Sequence, residues 1–186
     1  MRGSGHLVAR LNAKLQPLHR GELFEDPLDL ALDGAAMGRV SGGGTVQEDT
    51  GEIACCDIAL EVTAEMPAAV SFVISTLEQL GAPKGSTLHI EAESREVSFG
   101  KLEGLAVYLN GTDLPDRVYR ECDVNFVHSE FMRLLGSSGR VLSFWQGPAE
   151  TAFYAYGASY QGMGEALAAF IASYPLCEKC RLVQIA

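Results

Sequence analysis

The chain has 186 residues, 47% hydrophobic and 20% charged, the proportions of a globular protein with a real core. No apolar run approaches the ~18 residues that a membrane-spanning helix needs. Net charge is −10, from 24 acidic against 14 basic residues, which disfavours nucleic acid and anionic membrane as partners because both reward positive surface.

Residues 1–6 read as a leader outside the fold, with one arginine and no apolar stretch of the kind a signal peptide carries. The first strand-like run is "LVARLNAKL", Leu7–Leu15. A helix is predicted next: Asp26 as N-cap, Pro27 at the first helical position, then Leu28, Ala31, Leu32 and Ala35 at helical spacing. "SGGGTV", Ser41–Val46, lacks the Gly-Lys-Ser/Thr ending of a phosphate loop and opens no helix, so it reads as a strand with a glycine bulge or close backbone approach. Gly51 suits a left-handed turn position before "EIACCDIALEV", whose period-two alternation gives a half-buried strand. Cys56 falls on its apolar side and Cys55 on the other, with Asp57. A second helix follows with Val70, Val73, Ile74 and Leu77 as its stripe, then Pro83 and a strand at Ser86–Ala92.

The same order begins again at "LAVYLNGTDL", Leu105–Leu114. A helix starts at Asp123, with Val124, Val127, Phe131, Leu134 and Leu135 as its stripe and Gly136 as its stop. Gly139-Arg140-Val141 echoes Gly38-Arg39-Val40, each leading into a strand. The hairpin "RVLSFWQ", Gly147-Pro148, "ETAFYAYG" comes next. Then a helix with Ala166, Leu167, Phe170 and Ile171 stops before Pro175, and "CRLVQIA" closes the chain. The predicted fold is α+β: a tandem duplication of ferredoxin-like βαββαβ halves, with antiparallel sheets and helices on one face of each. The halves are 7–92 and 105–186, with 93–104 as a linker that contains a short strand at Val97–Phe99.

No stretch spells a catalytic motif. Two acid-rich loops each hold an aromatic residue, an anchor with a charged rim suited to a basic protein surface. They supply Glu22, Phe24, Glu25 and Asp26 in the first half, and Asp113, Asp116 and Tyr119 in the second. A groove between the halves, lined by Cys55, Asp57, Trp145, Tyr154 and Tyr156, is the alternative site. A Cys55–His89 nucleophile pair is disfavoured, because the strand carrying His89 should not neighbour the one carrying Cys55. Cys177 and Cys180 form a CxxC, but they supply two zinc ligands at most and follow a helix rather than opening one. They are read as packing residues, with a metal site or a redox pair as the weaker alternatives. No cofactor is implied. Five cysteines, an odd number, without an export segment point to free thiols and a cytoplasmic setting.

"RLNAKLQPLHRGELFEDPLDLAL", "SGGGT", "LGAPKGS", "LNGTDLPD" and "SYPLCEKCRLVQI" resemble a group of small uncharacterised bacterial proteins across most of residues 7–186. The resemblance brings no catalytic residues. In kind the chain is similar to bacterial immunity proteins against polymorphic or contact-delivered toxins, which are small, acidic and cytoplasmic. The expectation is a non-catalytic, acidic protein-binding module, an immunity-type inhibitor of a basic toxin, as monomer or homodimer. The alternative is a small-molecule-binding protein or enzyme that uses the groove between the halves.

Overall fold

A computed structural model describes residues 5–186 and divides the chain into two compact units. The first takes the residues up to Asp49 and Ile53–Lys101; the second takes Thr50–Glu52 and Leu102–Ala186. Of the expected leader, Gly5 and His6 belong to the first strand, and 1–4 lie outside the described residues.

The first unit runs β1 (Gly5–Leu11), α1 (Pro17–Arg20), a π-helical turn (Gly21–Glu25), α2 (Asp26–Gly34), β2 (Gly38–Gln47), β3 (Ile53–Val62), α3 (Met66–Gln79), β4 (Ser86–Ile90) and β5 (Arg95–Phe99). Its sheet order is β2-β3-β1-β4-β5, antiparallel throughout. The first four of these give the ferredoxin-like order. The expected linker was too long: β5 takes five of its residues and pairs with β4 from Ser86–Phe99 to Ile90–Arg95. Leu7, Ala9 and Leu11 of β1, Cys56, Ile58, Leu60 and Val62 of β3, and Leu88 and Ile90 of β4 are all buried. So are the helical stripes Leu28–Leu32 and Ala69–Val73–Leu77. Between these core positions the sheet turns His6, Arg10, Asp57 and His89 to its other face.

The helix start at Asp26 is corrected. The helix begins nine residues earlier, with Pro17 at its first position, and Asp26 itself has helical dihedrals, φ −61° and ψ −46°. An interior proline lacks an N–H and crowds the preceding turn. Here the turn before it widens: the Asp26 N–H bonds to Gly21 O, five residues back, and the helix continues through Pro27. In this wider turn residues five apart stack, which brings Arg20 Nε to 2.7 Å from Glu25 Oε1. Both side chains are largely withdrawn from water, at 10% and 19% exposure.

That ion pair explains the glycine run. Arg20 donates from Nη1 to Gly44 O at 2.9 Å and to the Thr45 hydroxyl. Asp29 Oδ1 accepts from the Val40 N–H at 2.7 Å. Helix side chains thereby satisfy polar groups of β2, an edge strand whose open row would otherwise invite pairing. A Cβ on Gly43 would overlap Glu25 Oε1, whereas one on Gly42 would meet nothing within 4 Å. The register slips between Val40 and Gly42, so the bulge and the close approach expected for "SGGGTV" are both present.

The second unit runs β6 (Glu103–Asn110), α4 (Asp116–Glu121), α5 (Val124–Leu135), β7 (Gly139–Gln146), β8 (Glu150–Gly157), α6 (Tyr160–Ser173) and β9 (Arg181–Gln184). The sheet order β7-β8-β6-β9 repeats the ferredoxin-like arrangement. Asp123 caps α5 by accepting from the Asn125 N–H at 2.8 Å, and Ser159 caps α6 from Gly162 at 3.1 Å. One core joins Leu105, Val107, Leu109, Phe153 and Ala155 of the sheet to Val127, Phe131 and Leu135 of α5 and to Met163 and Leu167 of α6.

Gly43→Ala should force Glu25 off Arg20 and cost about 1–3 kcal/mol in chemical denaturation, while Gly42→Ala should stay within about 0.5 kcal/mol. Equal stability of the two variants would show that the ion pair does not need the glycine.

Candidate functional site

The acidic segment Glu22–Asp33 lies on the helix that covers β2. Glu22 and Asp26 are exposed, as a rim requires. Two of the expected residues are committed inward. Phe24 is fully buried in the first unit's core, and Glu25 is held by Arg20. The apolar residue on this surface is instead Leu30, 75% exposed, with Leu18 at 66% one helical segment earlier. Asp26 and Asp33 stand at i−4 and i+3 from Leu30 in α2, so both adjoin it on the helix surface. Leu30 sits 200° round the helix from the buried Leu28, a position the sequence pattern already leaves off the apolar stripe.

In the second unit, Asp113 and Asp116 are exposed, but Tyr119 is spent on its own loop. Its hydroxyl accepts from the Leu114 N–H at 2.9 Å and donates to Asn110 O at 3.3 Å. Asp113 faces Lys179 at 3.6 Å. Arg10, Lys14, Arg20, Arg39, Arg95, Lys101, Arg133, Lys179 and Arg181 each pair with a carboxylate of the chain.

Trp145, Tyr154 and Tyr156 share one face of the second sheet, opposite its helices, because Trp145 pairs with Ala152 and the two tyrosines follow in step. Trp145 folds back on its own turn, where a Cβ on Gly147 would overlap the indole. Tyr154 and Tyr156 are buried. This face holds a residue that sequence reasoning missed. Glu52, 8% exposed, accepts at Oε1 from the Tyr108 hydroxyl at 2.6 Å and from Tyr154 at 2.8 Å. Beside it the Arg181 guanidinium lies 4.5 Å from the centre of the Tyr108 ring and pairs with Glu150 at 2.8 Å. Burial first, then the bond to Glu52, drives the Tyr154 hydroxyl well above the usual phenol range.

Cys55 and Asp57 lie on the first sheet's polar face. Asp57 accepts both arms of Arg10, at 2.8 and 3.0 Å, and holds that guanidinium above its usual range. Burial raises the Cys55 thiol, and Arg10 offsets only part of this. His89 is level with Ala59, since both oppose Val8, and β1 stands between their strands. At about 3.4 Å per residue and about 4.8 Å per strand, Cys55 and His89 are roughly 16 Å apart, so they are not a catalytic pair.

Cys177 is buried at the end of a 3₁₀ turn, Pro175–Cys177, and Cys180 is half-buried just before β9. Cys122, at the end of α4, packs on the same core, a third thiol that the spacing does not reveal. Among the described residues no group of three or more His, Cys, Asp or Glu side chains is placed to hold a metal. A cleft of about 650 Å³, lined by Arg117, Tyr174, Cys177, Lys179 and Cys180 among others, opens beside the thiols. No described helix is long and apolar enough to cross a membrane.

No protein-family model matches the sequence, and no curated protein does. Among solved structures, the chain is similar to an unknown protein from Galdieria sulphuraria, at 13% identity and TM-score 0.29, over 97% of this chain and 96% of that one. It is similar to a glycine cleavage system transcriptional repressor at 11% and 0.34, over 97% of each chain. It is also similar to the aspartate kinase regulatory subunit from Thermus flavus at 14% and 0.28, over 90% and 93%. At such scores these likenesses say nothing about role.

Glu52→Ala should orphan the Tyr108 and Tyr154 hydroxyls at about 1–3 kcal/mol each, while Glu52→Gln, which keeps an acceptor, should cost less. A Glu52→Ala, Tyr154→Phe cycle should be non-additive by about 1 kcal/mol in the unfolding free energy; simple additivity would dissolve the pair. The raised Tyr154 pKa means its stabilising contribution is whole below the unfolded phenol value near 10 and fades only above it. Phenolate absorbance of Tyr154→Phe should therefore superimpose on the parent through the titration of exposed tyrosines near pH 10.

Proposed function

We propose that the protein is a non-catalytic binding module whose α2 surface, Asp26–Leu30–Asp33 with Glu22 and Leu18 nearby, takes a basic protein surface. The observation that carries this reading is Leu30. A leucine 75% exposed at mid-helix, rimmed by two carboxylates, is an anchor with a charged border. The chain carries 24 acidic against 14 basic residues, and the exposed Glu22, Asp26 and Asp33 favour a cationic partner. The thiols support recognition over chemistry: Cys55, Cys56, Cys177 and Cys180 are all shifted up by burial, away from nucleophilic reactivity. An immunity-type inhibitor of a basic toxin is the form of this reading that the family resemblance suggests.

A photo-crosslinker at position 30 should capture one basic protein in a native lysate at moderate salt. The same group at Ser75, exposed on α3, should not. Adding Asp26→Lys and Asp33→Lys should weaken capture at least about tenfold with the fold intact by circular dichroism. Capture that survives charge reversal, or that is equal from both positions, would refute the assignment.

A further inference from the structure

The CEKC segment has a geometry that its spacing alone does not give. Glu178 has φ −59° and ψ 136°, Lys179 has φ 58°, and the Cys180 N–H bonds to Cys177 O at 3.1 Å. These are the dihedrals and hydrogen bond of a type II β-turn, with the two cysteines at its first and fourth positions. Such a turn holds its end Cα atoms within about 7 Å, and disulfides bridge Cα separations of about 4.4–6.8 Å. Lys179 occupies a left-handed position that glycine would normally fill, so the turn is kept by its surroundings against a local preference. Lys179 Nζ anchors it by donating to Asp113 O at 2.9 Å.

We propose that Cys177 and Cys180 form a disulfide across this turn, made by exchange with a small organic disulfide such as oxidised glutathione. Cys180 is the half-exposed thiol and lines a cleft, with Arg117, Glu178 and Lys179, that is roomy enough for a small reagent. Its thiolate attacks one sulfur of the reagent, giving a mixed disulfide and releasing one thiolate. The Cys177 thiolate then attacks Cys180 Sγ, closing the ring and releasing the second. Overall, two protein thiols become one disulfide, and one small disulfide becomes two small thiols. Cys177 is 2% exposed, so it serves as the resolving thiol rather than the first target. Burial pushes Cys177 up to about 12 and raises Cys180, which makes the exchange slow but leaves the finished bond hard to reduce. This is the opposite poise to a thioredoxin-like pair, whose thiolate sits at a helix N-terminus.

The protein, incubated with oxidised glutathione and then alkylated, should be digested with trypsin without reductant. Trypsin cuts after Lys179, between the two cysteines, and after Arg181, so the Cys177 fragment and the Cys180-Arg181 dipeptide stay together only if bridged. The expected result is that joined species, two hydrogens lighter than the sum of its parts, lost on adding dithiothreitol and retained in Cys122→Ser. Cys180 persisting as a glutathione adduct, a bridge to Cys122, or full alkylation of both thiols would each overturn the proposal. The parent digest decides this even if the Cys122→Ser variant fails to fold.

Discussion

The guanidinium of Arg20 holds three structural elements in one place. It closes the widened turn onto Glu25, it donates to the backbone of β2 at Gly44 O, and it fixes Thr45. A cation this withdrawn from water is tolerable only when its charge and donors are met. Its position therefore dictates much around it: a glycine at 43, a helix that continues through Pro27, and the covering of an edge strand. It also decides which side of the helix faces out. With Phe24, Leu28 and Leu32 committed to the core, Asp26, Leu30 and Asp33 have no direction left but solvent.

The two units reach the same strand order by different local means. The first uses a single interrupted helix and a buried ion pair. The second uses two helices, α4 and α5, separated by Cys122 and the Asp123 cap. Their sheets also differ on the face away from the helices. The first carries cross-strand ion pairs, Arg10–Asp57 and Arg39–Glu61, and is polar. The second carries Tyr108, Tyr154 and Tyr156, all buried, with Glu52 as the acceptor that makes burying two phenols affordable. Duplication fixes the path of the chain, and the residues that distinguish the copies lie on the faces the repeat leaves unconstrained.

What the sequence revealed follows from the range of the physics involved. Strand alternation in Ile53–Val62 and the helical stripes are local periodicities, so the elements, their order and the duplicated α+β fold could be read directly. The N-cap at Asp123 was equally local. The start of the first helix was misplaced because an Asp-Pro pair ordinarily opens a helix, and the π turn that lets one run through it depends on Arg20 finding Glu25. The same misplacement hid Phe24, although it extends the Leu28–Leu32 stripe one step back. Tyr119 looked like an anchor because its loop is acidic, but its hydroxyl closes that loop. Glu52 left no trace in the local pattern: its partners are 56 and 102 residues away. Cys122 likewise joins Cys177 and Cys180 only through the fold.

The thiols bring the two proposals onto common ground. A nucleophile needs its charged form stabilised by a helix N-terminus, a neighbouring cation or an open polar site. Here burial is the leading influence on each shifted thiol, and Arg10, which lowers Cys55, is already claimed by Asp57. Burial penalises thiolate but not disulfide. The same surroundings that keep these cysteines from catalysis thus favour a bridge wherever two of them are held at the right distance, which the type II turn does for Cys177 and Cys180. A bridge there would constrain the approach to β9 in the second unit and leave the α2 surface of the first chemically unchanged. The proposed recognition surface and the proposed bridge therefore lie in different units.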